Sequence, residues 1–551
     1  MFLALVLAGQ GSNDASPLLW FGALAALWAS AQLMPTRGES GTTALGICVA
    51  VLAVWMTATN FFANPSYTVV APYHAALLFG GYLFGRRAAA ERGLVYGTAV
   101  AFAVVLAGWA ISQQLAHVEQ RAHGVLVTPA TLASVINLVL APGLVLILLG
   151  ERRPAFIAPL AILCAVLAAT LSRGGWLALL AACALGLLLI HRARLRPQTR
   201  GVAIVGGMLL FGAAAAWLIN EPLHVPQLGG SGETLSGASF RARLELYALA
   251  LSGINPATLA YGAGYHAFYY LLETGRDAVP SYAGSMTYFV HDDYLQVLLE
   301  LGLPGLASLL FLVASPLAQA WRRLPRLNPG EQVALIAILA ALTSMAVHAL
   351  GDFPFYIPLC ALIYGAALGM FDAILRAASN QGTAVPTAPA RPSAFRRAAV
   401  AGAATVAFWI LALPVAAEGA ATYARKQWQA GDGQSAAYWF EAARRLDSRD
   451  WRYHWYAGQF WTAQARGQSD PAAARLADAA YSASVAANSR DVRPLYGRIL
   501  LHSMLGKLLP NPADAATLQE WSRHAVELAP TDAVMRAERE RILRAHPLGR
   551  P

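Results

Sequence analysis

Long apolar runs separated by short polar segments dominate residues 1–416 of this chain. About 20 consecutive apolar residues cross a bilayer as a helix, and backbone groups in lipid must find their hydrogen-bond partners within that helix. The pattern therefore predicts a membrane-embedded bundle of about twelve helices. We place the spans near 17–33, 43–63, 69–85, 92–112, 132–150, 155–172, 175–191, 202–219, 297–318, 331–350, 356–375 and 397–416.

The pattern changes after residue 416, where charged residues alternate with alanine-rich helical sequence. Three related segments end at Asp450 (LDSRD), Asp491 (ANSRD) and Asp532 (APTD), a spacing of 41 residues. Helix pairs at a fixed period are typical of tetratricopeptide-like arrays, although a plain helical cap without a partner is the alternative. We predict an all-α fold with two parts: a transmembrane bundle at 1–416, which includes an outer loop at 220–296, and a soluble helical-repeat domain at 417–551.

Composition and charge support a membrane protein and give its orientation. Hydrophobic residues make up 57% and charged residues 13% of the 551 residues, against about 25% charge in a soluble domain. Most arginines of the bundle lie in alternate loops, which the positive-inside rule assigns to the cytoplasm. The remaining loops and residues 417–551 are then expected in the periplasm of a bacterium. The net charge of +10 is thus a topology signal, and no nucleic-acid partner is predicted.

The N-terminal segment Met1–Gly9 is apolar but too short to span a bilayer. We interpret it as part of a further helix or as a short interfacial segment.

Several classes of enzyme lack their signatures here. The four cysteines have no CxxC spacing, and neither lysine, Lys426 or Lys507, completes a GxxxxGK phosphate loop. No GxSxG motif of a serine hydrolase is present. A phosphate-loop ATPase, a zinc-binding CxxC site and an α/β-hydrolase are therefore not predicted.

The outer loop ends at His291, where the sequence HDDYLQ opens the ninth predicted span. Asp292 or Asp293 can cap that helix, and His291 is then only an interfacial residue. The functional alternative is a general base at the membrane surface, with a neighbouring aspartate orienting the imidazole. Two adjacent carboxylates without other evident ligands are a weak metal site, so no metal and no cofactor is predicted.

Five arginines break the positive-inside trend, namely Arg121, Arg173, Arg241, Arg243 and Arg276. The second to fourth of these suggest an anion site on the outer side. Arg173 lies in SRGGW at a helix junction, while Arg241 and Arg243 belong to a helical pattern within the outer loop. The planar guanidinium group suits phosphate. A third outer junction carries His348 and Asp352, one helical turn apart, for which helix-end capping is the alternative. These residues suit a substrate with a lipid tail and a diphosphate at the headgroup level.

The motifs around Arg173, Arg243, His291 and Asp352 resemble those of the bacterial O-antigen ligase, O-antigen polymerase and protein O-oligosaccharyltransferase superfamily. The similarity covers roughly residues 90–375. Its motifs here are HDDYLQVLLELGLPG at 291–305, SRGGW at 172–176, Arg243 to Tyr247 before YGAGY, and GDFPFYIP at 351–358.

The resemblance implies a metal-independent, GT-C-like membrane glycosyltransferase that inverts the anomeric carbon. Its donor would be a glycan on undecaprenyl diphosphate. By motif, His291 matches the histidine that activates the acceptor hydroxyl, and Arg173 and Arg243 match arginines that bind the diphosphate, with Arg241 competing for the second place. Asp292 stands where the family often has asparagine. We count Asp292, Asp293, Tyr294, His348 and Asp352 as supporting residues.

The acceptor and two other functional classes stay open at the sequence level. A glycan chain or the lipid A core is favoured as acceptor over a protein hydroxyl. A secondary transporter or lipid-glycan flippase would need charged or broken helices near the midplane and repeated halves, whereas the ionisable residues gather at the outer edge. A non-catalytic scaffold is the third alternative. Membrane lipid is the expected surrounding partner, and the bacterial inner membrane the expected location.

Overall fold

The computed structural model describes residues 43–63, 70–115, 128–220, 235–275, 278–282, 287–380, 413–414, 416–530 and 532–545. The regular elements within these residues are all helical, and no strand occurs among them. The predicted all-α, polytopic fold class is thereby confirmed. The predicted span at 17–33, the segment Met1–Gly9 and nearly all of the span at 397–416 lie outside the described residues.

The helices of the first part are numbered here in chain order. They are α1 (Ala44–Ala63), α2 (Val70–Ala88), α3 (Arg92–Leu115), α4 (Pro129–Leu148), α5 (Pro154–Ala169), α6 (Arg173–Arg192), α7 (Thr199–Asn220), α8 (Leu235–Ser252), α9 (Pro256–Tyr261), α10 (Phe268–Thr274), α11 (Asp293–Arg323), α12 (Pro329–His348) and α13 (Pro358–Asn380).

Six stretches of helix are long and apolar enough to cross a membrane: Val70–Ser112, Pro129–Leu148, Arg173–Arg192, Asp293–Arg326, Pro329–His348 and Pro358–Ser379. The shorter helices Ala44–Thr59, Pro154–Ala169 and Thr199–Ala215 are also apolar. The ten predicted spans between residues 43 and 375 each coincide with one of these helices. The spans predicted near 69–85 and 92–112 are joined by a 3-10 turn at Ala89–Glu91.

Small residues let two of the membrane helices approach closely. Gly81 and Gly85 on α2 face Gly365 and Gly369 on α13, both pairs in GxxxG spacing. A Cβ atom at Gly85 would lie 1.9 Å from the carbonyl oxygen of Ala366, so only glycine fits there. In a bilayer the lipid is as apolar as leucine side chains, so helices associate through close van der Waals packing at small residues. It fixes α13, and therefore the turn that precedes it, against the bundle.

Helix α11 is broken near its N-terminal end, which the sequence pattern did not predict. Gly302 has φ 67° and ψ −168°, and Pro304 follows it. The break deprives nearby carbonyls of their helical partners, which must be replaced at membrane depth. The N–H groups of Ala263 and Gly264 donate to the carbonyls of Leu299 and Glu300 at 2.9 and 3.0 Å. The indole of Trp55 donates to Leu301 O at 2.7 Å, so the glycine-rich turn and α1 complete the broken helix.

Residues after 416, called the tail below, form helices that pack each on the next. They are α14 (416–429), α15 (Gly433–Leu446), α16 (Trp451–Gln468), α17 (Pro471–Ala487), α18 (Val492–Leu505), α19 (Ala515–Leu528) and α20 (Ala533–Ala545).

The repeated aspartates of this part cap helices. Asp450 and Asp491 accept from the N–H groups of Arg452 and Arg493, and Asp532 accepts from Val534 N–H. A side-chain oxygen that satisfies a free N–H at a helix start is the usual N-cap. Asp450 and Asp491 therefore each begin a helix pair, and Asp532 begins the last described helix. The division into two domains and the tetratricopeptide likeness stay predictions.

Candidate functional site

The ends of three membrane helices and the loop before α11 meet at one end of the bundle. Helix α12 ends at His348, α6 begins at Arg173, and α11 begins at Asp293, whose N–H donates to Ala349 O at 2.9 Å. A Cβ atom at Gly174 would lie 3.3 Å from the His348 ring, so the SRGGW turn passes beside that histidine. The predicted outer junctions are thus neighbours in space.

Asp352 lies between two histidines at this end of the bundle. Nδ1 of His291 is 3.3 Å from Oδ1 of Asp352, and Nε2 of His348 is 3.7 Å from Oδ2. Burial by itself raises the pKa of Asp352. The hydrogen bond from His291 and the electrostatic attraction of His291, His348 and Arg243 outweigh it, so the pKa of Asp352 falls below its ordinary value. Asp352 is therefore an ionised carboxylate that can orient an imidazole.

His291 is held on both its backbone and its ring. Its φ of 63° is unusual for a residue with a side chain. The Tyr247 hydroxyl donates to its carbonyl oxygen at 2.9 Å, and the ring of Phe353 meets its imidazole edge-on at 5.0 Å. The preceding N–H of Val290 donates to Gln296 at 3.0 Å. A strained residue fixed by several neighbours is characteristic of functional positions.

The three predicted arginines differ in their placement. Arg243 on α8 is half-buried, and a Cβ atom at Gly351 would lie 3.7 Å from one of its terminal nitrogens. Arg241 is exposed on the same helix, and Arg173 is exposed at the first position of α6. Arg243 therefore lies closest to the aspartate and histidine cluster, and Arg173 borders it through Gly174.

The other supporting residues have structural contacts. Asp292 accepts from Leu295 N–H and is the N-cap of α11, which is the capping alternative for this position. Burial raises its pKa. Buried Asp293 accepts from Phe355 N–H at 2.7 Å, and the Tyr294 hydroxyl donates to Ala346 O at 2.8 Å. These contacts join α11 to α12 and to the turn that carries Asp352.

Glu300 is a buried carboxylate that sequence reasoning missed. It accepts from the N–H groups of His266 and Phe268, at 2.8 and 3.3 Å, and from the Tyr356 hydroxyl at 2.8 Å. Gln296, one turn earlier, donates to it at 3.1 Å. The signal in the sequence was the polar pair Gln296 and Glu300, at i and i+4 of an apolar helix.

His266 is a further histidine near the site, and it is a poor base. Burial, followed by the nearby His74, lowers the pKa of His266 to about 3. It is therefore neutral at working pH and packs against Tyr265 with ring centroids 4.6 Å apart. His291 is exposed enough to meet a substrate, since 18% of its side chain is accessible.

Metal binding finds no support in the part of the chain that the structure describes. No group of three or more His, Cys, Asp or Glu side chains is placed there to hold a metal ion. The arrangement offers instead a guanidinium group for an anion and a carboxylate-oriented imidazole for a proton.

The fold and site define an all-helical, polytopic membrane protein with a polar site at one end of its bundle. A family model described as O-Antigen ligase matches residues 158–310. This range includes Arg173, Arg243 and His291. The match supports assignment of the chain to the O-antigen ligase and polymerase superfamily. No curated protein matched the chain.

Proposed function

We propose that this protein transfers a glycan from undecaprenyl diphosphate to an acceptor hydroxyl at the periplasmic face of the inner membrane. The family match supports a membrane enzyme of the O-antigen ligase type. The observation that carries the finer proposal is the meeting of His291, Asp352, His348 and Arg243 where membrane helices end.

Arg243 and Arg173 would bind the diphosphate of the donor. A guanidinium group stays charged and offers several donors to phosphate oxygens. Both residues lie at the level where α6 begins and α12 ends, which suits a headgroup whose lipid tail runs along the bundle. The negative charge on the diphosphate grows as the glycosidic bond breaks, so fixed cations stabilise the transition state more than the bound donor.

His291 would act as the general base. With the Nδ1–H of His291 donating to Asp352, the lone pair of Nε2 is left to accept a proton. The acceptor hydroxyl gives its proton to Nε2 as its oxygen attacks the anomeric carbon. The bond from that carbon to the phosphate oxygen breaks, and undecaprenyl diphosphate leaves with the electron pair. Attack from the opposite face inverts the anomeric centre, and no metal or cofactor takes part.

For the acceptor, we favour a glycan chain or the lipid A core, as in ligases and polymerases, over a protein hydroxyl. The helices after residue 416 would lie in the periplasm and could contact such an acceptor.

The experiment is reconstitution of the purified chain with a lipid-linked oligosaccharide and each of the three acceptors. We expect His291→Ala to lower the transfer rate by about 10²–10⁴-fold, the usual contribution of a general base. Arg243→Ala should weaken transfer more than Arg241→Ala, because Arg243 lies beside the cluster. Arg196→Ala is the matched control, because Arg196 is exposed and follows the end of α6 opposite to Arg173. Full activity in His291→Ala would reject the proposed role of the imidazole.

A lipid-glycan flippase or transporter is the second candidate, and the break at Gly302 beside Glu300 is the feature that favours it. Glu300 lies seven residues into α11, however, which is about 10 Å of helix, short of the midplane of a core about 30 Å thick. Its hydrogen bonds also hold the outer loop and Tyr356. Movement of intact lipid-linked glycan across vesicles without any transfer product would favour this alternative.

A further inference from the structure

A buried hydrogen bond joins the helices after residue 416 to the outer loop. Nδ2 of Asn488 donates to the Tyr270 hydroxyl at 3.0 Å. Asn488 is 5% exposed and Tyr270 4% exposed. Asn488 ends α17, and Tyr270 lies on α10 within the loop. The two residues are 218 positions apart, so this bond is a tertiary contact between the two parts of the chain.

Further residues of the tail lie close to α10 beside this hydrogen bond. Burial raises the pKa of the Tyr269 hydroxyl to about 12; the nearby charge of Arg493 lowers this pKa and that of Asp491 raises it, so both residues lie close to the hydroxyl. Arg493 is itself fixed by its ion pair with Asp491 at 2.6 Å and by the Trp451 ring at 4.6 Å. Helix α10 also packs against α19. The contact is therefore a surface of several residues.

Helix α10 is tied to the site on its other side. Its first turn is fixed by the bonds of His266 N–H and Phe268 N–H to Glu300. Tyr269 stacks on Tyr288, with ring centroids 4.8 Å apart. The chain then continues into Phe289, which stacks on Phe353 at 3.9 Å.

These aromatic rings form a continuous row of contacts between the tail and His291. His291 follows Phe289 by two residues and contacts the same Phe353 ring. A short series of packed groups separates Asn488 from the imidazole of His291. Through such packing, a displacement at Asn488 can change the position of the imidazole.

We propose that Asn488 and Tyr270 are positioning residues, through which the helices after residue 416 hold the outer loop so that His291 faces its substrate. The reacting groups are those of the proposed function. The kcat test of this inference rests on that function, whereas the hydrogen-exchange test does not.

The experiment uses the full chain with Asn488→Ala, Tyr270→Phe and the double variant. Loss of the hydrogen bond between Asn488 and Tyr270 should lower kcat by about 3–10-fold. The KM for the donor should stay unchanged, because neither residue contacts Arg173 or Arg243, which would bind the diphosphate. Asn488→Ala also removes the bond that Asn488 Oδ1 accepts from Arg490 N–H at 3.0 Å. Because both single variants remove the bond between Asn488 and Tyr270, the double variant should be no slower than Asn488→Ala. Effects that multiply, or an unchanged kcat in both single variants, would overturn the proposal.

Ser484→Ala is the matched control. Ser484 lies one turn before Asn488 and donates to Trp451 O at 2.8 Å, a buried bond that stays within the tail. Its loss should destabilise the tail without moving the loop, so kcat should be retained. An equal fall of kcat in Ser484→Ala would show that Asn488 acts only through tail stability.

Amide hydrogen exchange gives a measurement that is independent of activity. Residues 266–275 and 287–291 should exchange faster in Asn488→Ala and Tyr270→Phe than in the wild type, and at the wild-type rate in Ser484→Ala. Unchanged exchange in the first two variants would reject the docking contact. If the wild type transfers no glycan to any acceptor, the proposed function fails, and the exchange result still decides the docking contact.

Discussion

Asp352 is the residue on which the candidate site depends most. One carboxylate faces two imidazoles and lies near Arg243, and these partners lower its pKa although it is buried. An uncompensated buried charge would be costly, so the histidines and the aspartate stabilise one another. Sequence placed His348 and Asp352 together by spacing, but not His291, which is 61 positions from Asp352.

Replacing Asp352 by asparagine should remove the charge with little change of shape. We expect kcat to fall by about 10²–10⁴-fold, because the imidazole of His291 loses the group that orients it. The measurement is the transfer rate in vesicles with equal amounts of inserted protein. Asp432→Asn, which makes the same change at an exposed helix cap of the tail, should keep the wild-type rate, and a retained rate in Asp352→Asn would contradict the role of the carboxylate.

The pH dependence of stability follows from the lowered pKa of Asp352. A carboxyl group with a lowered pKa in the folded state adds stability above its unfolded pKa, about 3.9, and loses it as the pH falls through the folded pKa. Relative to its value at pH 5, the Tm difference between wild type and Asp352→Asn should therefore shrink below about pH 4. Thermal unfolding in detergent between pH 3 and 8 measures this, and a difference that grows on acidification would contradict it.

Among the elements, the broken helix α11 differs most from what its sequence suggested. The apolar run at 297–318 predicts one span, and the helix indeed begins and ends near it. The break at Gly302 needs the turn at Gly262–Gly264 to bond the freed carbonyls, and that turn is 40 residues earlier in the chain. Periodicity reports which face is apolar and carries no information on such a distant partner.

The glycine at position 262 should be essential to this arrangement. Its φ is 82°, and a Cβ atom would lie 2.1 Å from Glu300 O. Gly262→Ala should therefore destabilise the protein by about 2–3 kcal/mol, seen as a fall of Tm by several degrees. Gly207→Ala, on a helix where no heavy atom lies within 4 Å of the added Cβ, should leave Tm equal or slightly higher. Equal Tm values for both variants would argue against the tight turn.

At the scale of the whole molecule, the outer loop and the tail are in contact through the bond from Asn488 to Tyr270. The arginine distribution predicts that both lie in the periplasm. We expect the candidate site, where α12 ends and α6 begins, to face the same aqueous space.

Accessibility of single cysteines tests this topology. In a chain whose native Cys48, Cys164, Cys183 and Cys360 are changed to alanine, Ala278→Cys on the loop and Arg466→Cys on the tail should react with an impermeant maleimide in cells with a permeabilised outer membrane. Arg326→Cys, in the turn after α11, should react only after the inner membrane is opened. If Arg326→Cys reacts before the inner membrane is opened and Ala278→Cys does not, the orientation of the protein is opposite to the one predicted.

The sequence by itself determined the class of fold, the ten helices that match predicted spans and the residues able to bind an anion or accept a proton. These depend on local properties: a bilayer selects apolar segments of a given length, and side-chain chemistry is intrinsic to each residue. Only the tertiary structure decided that Asp352 lies between His291 and His348, that Tyr247 and Gln296 fix the backbone around His291, and that Glu300 holds the loop. Such meetings depend on the shapes of side chains from distant segments packed together, which no local pattern records.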